Sequence, residues 1–131
     1  MGVQVPDGED PQSPLDPQEL STFGKIRQLL EDELGVPAYP DVYTGGDLNC
    51  WATYNLSEQY GEIFGDDAPG EVIDSVQVHL FVATNQNYLG LMRDIRNGLF
   101  DYGFTWPDIT TLFESDQKLR HIVFETSIEG E

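Results

Sequence analysis

From position 76 to 82 every even residue is apolar, Val76, Val78, Leu80 and Val82, while Gln77 and His79 interrupt the odd positions. Period two marks a strand with one buried face, so the even side chains are the expected core face. After Asn85-Gln86-Asn87 the period lengthens: Leu89, Met92, Ile95, Leu99 and Tyr102 recur at three- and four-residue steps. That spacing predicts an amphipathic helix, closed by Gly103 as its C-cap. One strand feeding one helix through a short turn is the centre around which the remaining elements are arranged.

Upstream, Asp16-Pro17-Gln18-Glu19 has the form of a helix start, with Asp16 at the N-cap, Pro17 at the first helical position and Glu19 at the capping-box position. Leu20, Phe23, Ile26, Leu30 and Leu34 continue it as one apolar stripe, which Gly35 and Pro37 end. The two prolines in residues 36–43 restrict that piece to an extended or edge-strand form, and Thr44-Gly45-Gly46-Asp47 reads as a turn. Residues 50–56 are aromatic and β-rich enough for a strand. Residues 57–71 alternate only weakly and read as an extended hairpin arm or loop, broken by Asp66-Asp67-Ala68-Pro69-Gly70. Beyond the second helix, residues 104–108 turn the chain, and 109–114 pair with 119–128 across a turn at 115–118.

The order is therefore helix, three or four strands, helix, hairpin. The economical packing for that order is an α+β fold, a mostly antiparallel sheet of four to five strands with two helices on one face. The 131 residues suit one domain over 16–131. Residues 1–15, rich in Pro, Gly, Asp and Glu without periodicity, form an acidic arm expected to be flexible or ordered by a partner.

Charge narrows the function classes. Twenty-four acidic against 6 basic residues leave a net charge of −18, so a basic surface gripping a phosphate backbone is not expected. The cations come as three close pairs, Lys25 with Arg27, Arg93 with Arg96 and Lys118 with Arg120, expected to neutralise neighbouring carboxylates. Cys50 is the single cysteine, which excludes an intrachain disulfide and fits a small core residue. With no basic and apolar leader pattern and no run of roughly 18 apolar residues, a soluble, unexported chain without a membrane span is expected.

Catalytic chemistry is thinly represented. His79 and His121, the two histidines, stand isolated in separate strands without a second imidazole or thiol at ligand spacing, so no metal site is expected. Asp66 and Asp67 are sequence neighbours in a turn, and Gly45-Gly46-Asp47-Leu48-Asn49 lacks the later ligands of a calcium loop. No phosphate-cradling Gly-rich loop and no nucleophile elbow is present, and Ser75 with His79 on one strand is a poor basis for a triad. No cofactor and no catalytic residue are assigned. Aromatic side chains in polar and turn settings, Tyr54, Tyr60, Phe64, Phe81 and Trp106, point instead to self-association or a partner surface.

Taken together, the N-terminal helix, the Val36-Pro37-Ala38-Tyr39-Pro40 segment, the Tyr54-Asn55 strand, the Gly65-Asp66-Asp67 turn, the strand Val76 to Phe81, the helix ending in Gly103-Phe104 and the hairpin from Phe113 to Glu125 resemble the tail terminator, or tail completion, proteins of long-tailed bacteriophages and prophages. The resemblance spans residues 17–128. It implies a virion structural protein, assembled in the host cytoplasm, that forms a ring, a hexamer, at the head-proximal end of the tail tube. Such a ring stops tube polymerisation and joins tail to head, with the tail tube protein and a head-closure or neck protein as partners. Genomic DNA would pass an acidic bore without specific binding. No catalytic residue is carried over. By position, Tyr60, Phe64, Asp66 and Asp67 in the 57–67 arm are the expected contacts to a neighbouring subunit or the tube. The 1–15 arm is not required by the family pattern.

Two further readings compete. A head-closure or neck ring protein would share the acidic bore, and a soluble acidic adaptor binding a basic partner would need no ring. A small hydrolase built on His79 or His121 comes last.

Overall fold

The computed structural model describes residues 19–43, 45–46, 48–64, 68–84, 86–115 and 117–130, with backbone alone for 62–64 and 68–71. Its elements run α1 (Thr22–Arg27), a π-helical segment (Gln28–Glu33), β1 (Ala38–Pro40), β2 (Cys50–Phe64), β3 (Ala68–Ala83), α2 (Tyr88–Asp101), β4 (Asp108–Glu114) and β5 (Leu119–Glu129). The five strands form one sheet in the order β1-β2-β3-β5-β4. All neighbours are antiparallel except the short parallel pair β1 and β2. Because β5 is antiparallel to both β3 and β4, those two run parallel, joined by α2 and separated by the returning β5. The α+β class expected from the pattern is the one observed, with both helices sharing a core with the same sheet face.

That core follows the even register. Val76, Val78, Leu80 and Val82 are buried, as are Ile122, Phe124 and Ile128 on β5 and Ala52 and Tyr54 on β2. Ile26, Leu29, Leu30, Ile95 and Leu99 close over them from the helical layer. Tyr54, expected among the exposed aromatics, is instead buried on this face and meets Phe23 edge-on at 5.1 Å. Its even register on β2, opposite Val78, turns it inward.

The first helix differs from expectation at its start. Asp16 and Pro17 lie outside the described residues; the helix begins at Thr22, and Ser21 is the N-cap, its Oγ accepting from the Gly24 amide at 3.0 Å. Beyond Arg27 the backbone widens to i→i+5 bonding, as in Leu34 N to Leu29 O at 3.1 Å. The wider turn brings two consecutive leucines, Leu29 and Leu30, to the sheet, and Leu34 is only partly buried. Gly35, at φ +71°, ends the segment as expected. In α2 the buried residues are Ile95 and Leu99, while Leu89 is 58 % exposed: the inner face at the helix start belongs to Tyr88, Leu91 and Met92. Gly103, at φ +105°, follows the C-cap in the left-handed region that glycine tolerates.

Two polar contacts tie the layers together. The buried Asp74 carboxylate on β3 accepts from Thr22 Oγ1 at 2.8 Å and from Gln59 Nε2 at 2.6 Å, fixing the start of α1 to the sheet. At the end of α2, the Tyr102 hydroxyl donates to Glu33 and accepts from Gln28 Nε2 at 3.1 Å. Burial and the bond to Glu33 push the Tyr102 phenol up to about 12, against a smaller opposing pull from Gln28. A raised phenol pKa favours the neutral form in the folded state. Its stabilisation is therefore complete below the ordinary value of about 10 and lost as pH climbs toward the folded value. Relative to Tyr102→Phe, the wild-type chain is expected to be more stable by about 1 kcal/mol below that range and to lose the advantage between pH 10 and 12, read from urea midpoints.

Candidate functional site

The helices occupy one face of the sheet, so the odd-register side chains make up the other. Across β2, β3 and β5 these are Trp51, Thr53 and Asn55; Ser75, Gln77, His79 and Phe81; and His121, Val123, Glu125 and Ser127. Most are half-buried by one another, with no described helix above them. The face divides into an aromatic band and a polar row.

The band starts at the β1 edge. Tyr39 stacks on Tyr43 at 4.6 Å, Tyr43 lies 5.4 Å from Trp51, Trp51 stacks on Phe81 at 5.1 Å, and Phe81 stacks on His121 at 4.3 Å. Offset stacking of this kind adds about 0.5–1.5 kcal/mol per pair beyond area burial. Leu112 on β4, opposite His121, extends the band and is exposed.

The polar row crosses the same strands. Gln77 Nε2 donates to Glu125 Oε2 at 3.0 Å, and Gln77 Oε1 lies 3.1 Å from His79 Nε2. His79 Nδ1 is 2.8 Å from His121 Nε2, and His121 Nδ1 is 3.1 Å from Glu114 Oε2. The histidines expected to stand isolated are thus direct partners, because the β3 and β5 register sets Phe81 opposite His121 and His79 one step along. Burial first, and then the neighbouring His121, hold the His79 imidazole below its ordinary range, with Glu125 opposing. Ser75 does not join them in a triad: its Oγ pairs with Ser127 Oγ at 3.1 Å. Among the described residues no three His, Cys, Asp or Glu side chains converge as a metal site. Cys50 is half-buried against the core, and burial pushes its thiol up, away from nucleophilic use.

Beside the row lies a shallow polar groove of about 400 Å³ along the middle of β2 and β3, the start of β4 and the latter part of β5, with Glu58, Trp106, Asp108 and Glu125 in its lining. Three carboxylates and no cation make it a poor seat for an anion. Trp106 is 55 % exposed, edge-on to Phe100 at 5.4 Å, and Arg96 sits over its ring at 5.2 Å. This modifies the expectation for the paired cations. Arg27 meets Glu31 at 3.2 Å and Arg93 meets Asp94 at 3.4 Å, but Arg96 and Arg120 cover aromatic rings, Arg120 lying over both Tyr88 and Phe113. An arginine over a ring gains cation–π attraction, which suits these half-buried positions.

The arm expected at 57–71 is a continuation of β2 and β3. Their pairing runs from Cys50↔Val82 to Phe64↔Ala68, with register shifts between Leu56 and Glu58 and between Glu62 and Ile63. The break is shorter than expected, since Ala68, Pro69 and Gly70 already belong to β3. The last β3 residue opposite β5 is Ile73, and β1 covers only Ala52 to Tyr54 of β2, so both edges of the hairpin beyond these points carry no strand partner among the described residues. Tyr60, opposite Ile73, is 43 % exposed. Phe64 ends β2, its side chain outside the described set, and Asp66 and Asp67 lie outside the described residues altogether. No described helix is long and apolar enough to cross a membrane.

The histidine pair is the feature that sequence reasoning missed. Both residues occupy odd positions of strands expected in one sheet, which is a usable signal, but only a fixed register turns it into a contact. Comparison of the chain with protein-family models and with curated proteins found no match.

Proposed function

We propose that the chain is a tail terminator protein of a long-tailed bacteriophage or prophage, a subunit of a hexameric ring at the head-proximal end of the tail tube that ends tube polymerisation and joins tail to head. The observation that carries this reading is the β2–β3 hairpin, which runs past the last β5 pairing with no strand partner on either edge among the described residues and with the exposed Tyr60 on its flank. A closing ring needs a heterologous contact in which a projecting part of one subunit meets a different surface of the next. The open sheet face, with its aromatic band and exposed Leu112, supplies a surface of the required kind. The net charge of −18 suits a bore that lets DNA slide without adhering. In this role the chain is a structural, non-enzymatic protein of the virion, with the tail tube protein and a head-closure or neck protein as its neighbours.

Light scattering at low and high protein concentration, followed by addition of purified tail tube protein, tests the proposal. A hexameric mass, alone or on the tube, is the expected result. A strict monomer that ignores the tube would leave the acidic adaptor as the better reading. Alanine at Tyr60, Phe64, Asp66 and Asp67 together is expected to abolish ring formation while the monomer keeps its native circular dichroism. Assembly unchanged by the fourfold variant would remove the arm from the interface.

A further inference from the structure

The polar row on the open face has its hydrogens fixed from both ends. An ionised carboxylate only accepts, so the bond between Glu125 Oε2 and Gln77 at 3.0 Å turns the amide nitrogen to Glu125 and its oxygen to His79. An amide oxygen donates nothing, so His79 Nε2, 3.1 Å away, carries a hydrogen. At the far end the Glu114 carboxylate faces His121 Nδ1 at 3.1 Å, so that nitrogen carries one too. With its outward nitrogen protonated, a neutral imidazole presents only a lone pair inward. The inward nitrogens, His79 Nδ1 and His121 Nε2, face each other at 2.8 Å, a hydrogen-bond distance that two opposed lone pairs do not adopt. Only a third hydrogen between them would make this contact a hydrogen bond.

We propose that His79 and His121 together bind one proton at neutral pH, forming a single imidazolium shared between β3 and β5 and held between Glu114 and the Gln77–Glu125 pair. The Glu114 carboxylate lies at the His121 end, 3.1 Å from Nδ1, so in the shared arrangement His121 is the donor across the 2.8 Å contact and His79 the acceptor. The half-buried setting of His79, which disfavours a charge on that ring, agrees with this division. Among the described residues the groups facing the pair are carboxylates or uncharged, with no competing cation. From β4 come Glu114 and, further along, Asp108; from β5, Glu125; from β3, Gln77 and Phe81; from β2, the uncharged Trp51, Thr53 and Asn55. The helices lie on the opposite face.

The row is therefore intact in a middle band of pH. Removing the shared proton opposes two lone pairs, and adding a second opposes two imidazolium rings at hydrogen-bond distance; either change breaks the link between β3 and β5 on this face and alters the charge beside the aromatic band. Whatever docks on the open face would meet a different surface above and below that band. This inference stands independently of the ring proposal.

Two-bond proton–nitrogen correlation spectra of the 15N-labelled full chain, recorded across the titration, test it directly. At neutral pH one ring should be neutral with its hydrogen on Nε2 and the other doubly protonated, and the pair should titrate as a unit in two separated steps that bracket this one-proton state. Glu114→Gln, with its amide spectrum otherwise native, should weaken binding of the shared proton roughly tenfold. Two neutral rings at neutral pH, two titrations that proceed independently of each other, or an upper step that ignores Glu114→Gln would each overturn the proposal.

Discussion

Phe124→Ala is expected to remove about 3–5 kcal/mol of stability, a large part of the roughly 5–15 kcal/mol that a domain of this kind holds. Phe124 is fully buried at the middle of β5, opposite Val78 on one side and Ile109 on the other, and it belongs to the cluster that both helices close over. Its ring has no solvent-facing edge through which the neighbours could relax, so truncation leaves most of the ring volume as a cavity. The thermal midpoint should drop by the order of 10 °C or more, and the urea midpoint should fall with an unchanged m-value. A loss below about 1 kcal/mol would mean that the helical layer collapses onto the sheet far more readily than its packing implies.

Gly98→Val is expected to destabilise by about 3 kcal/mol for the opposite reason. A Cβ at position 98 on α2 would lie 2.4 Å from Leu29 Cδ1 and 3.0 Å from Cδ2, well inside contact distance. The tip of a leucine can often move, but Leu29, on the π-helical segment, is 1 % exposed within the core cluster, where a close-packed interior resists its displacement. Replacing a helix-interior glycine by valine returns only about 0.5 kcal/mol of propensity, so overpacking prevails. Shortening the partner should relieve the clash: Leu29→Ala combined with Gly98→Val is expected to be less destabilised than the sum of the two single variants, measured by a double-mutant cycle. Strict additivity would show that the two helices do not meet at this point.

What the sequence made legible, and what it hid, divides along the range of the interactions. The even face of β3, the C-caps at Gly35 and Gly103 and the β4–β5 hairpin depend on neighbours within a few residues, and all four are found where the pattern puts them. Tyr54 was misread because a tyrosine in a polar context reads as exposed until the register of β2 against β3 is known. Leu29 and Leu89 changed places with respect to the core because a π turn and a shifted helical face alter the period that the stripe assumes. His79 and His121 are 42 residues apart in sequence and 2.8 Å apart in space. No local pattern carries that distance; only the alignment of β5 between β3 and β4 does. The arm was legible as a hairpin, but its weak alternation left the pairing of Tyr60 with Ile73 to be found in the structure.

The strand order has a kinetic consequence. Three of the four seams, β1 with β2, β2 with β3 and β4 with β5, join strands adjacent in sequence and close short or moderate loops. The β3–β5 seam alone spans α2 and β4, so its loop-closure entropy must be met before its contacts form. The strand order divides the sheet into an N-terminal hairpin with its helix and a C-terminal hairpin, with α2 as the tether between them. Slow folding, and any exchange of the C-terminal hairpin between copies at high concentration, would be decided at that one seam, which is also where the histidine pair is built.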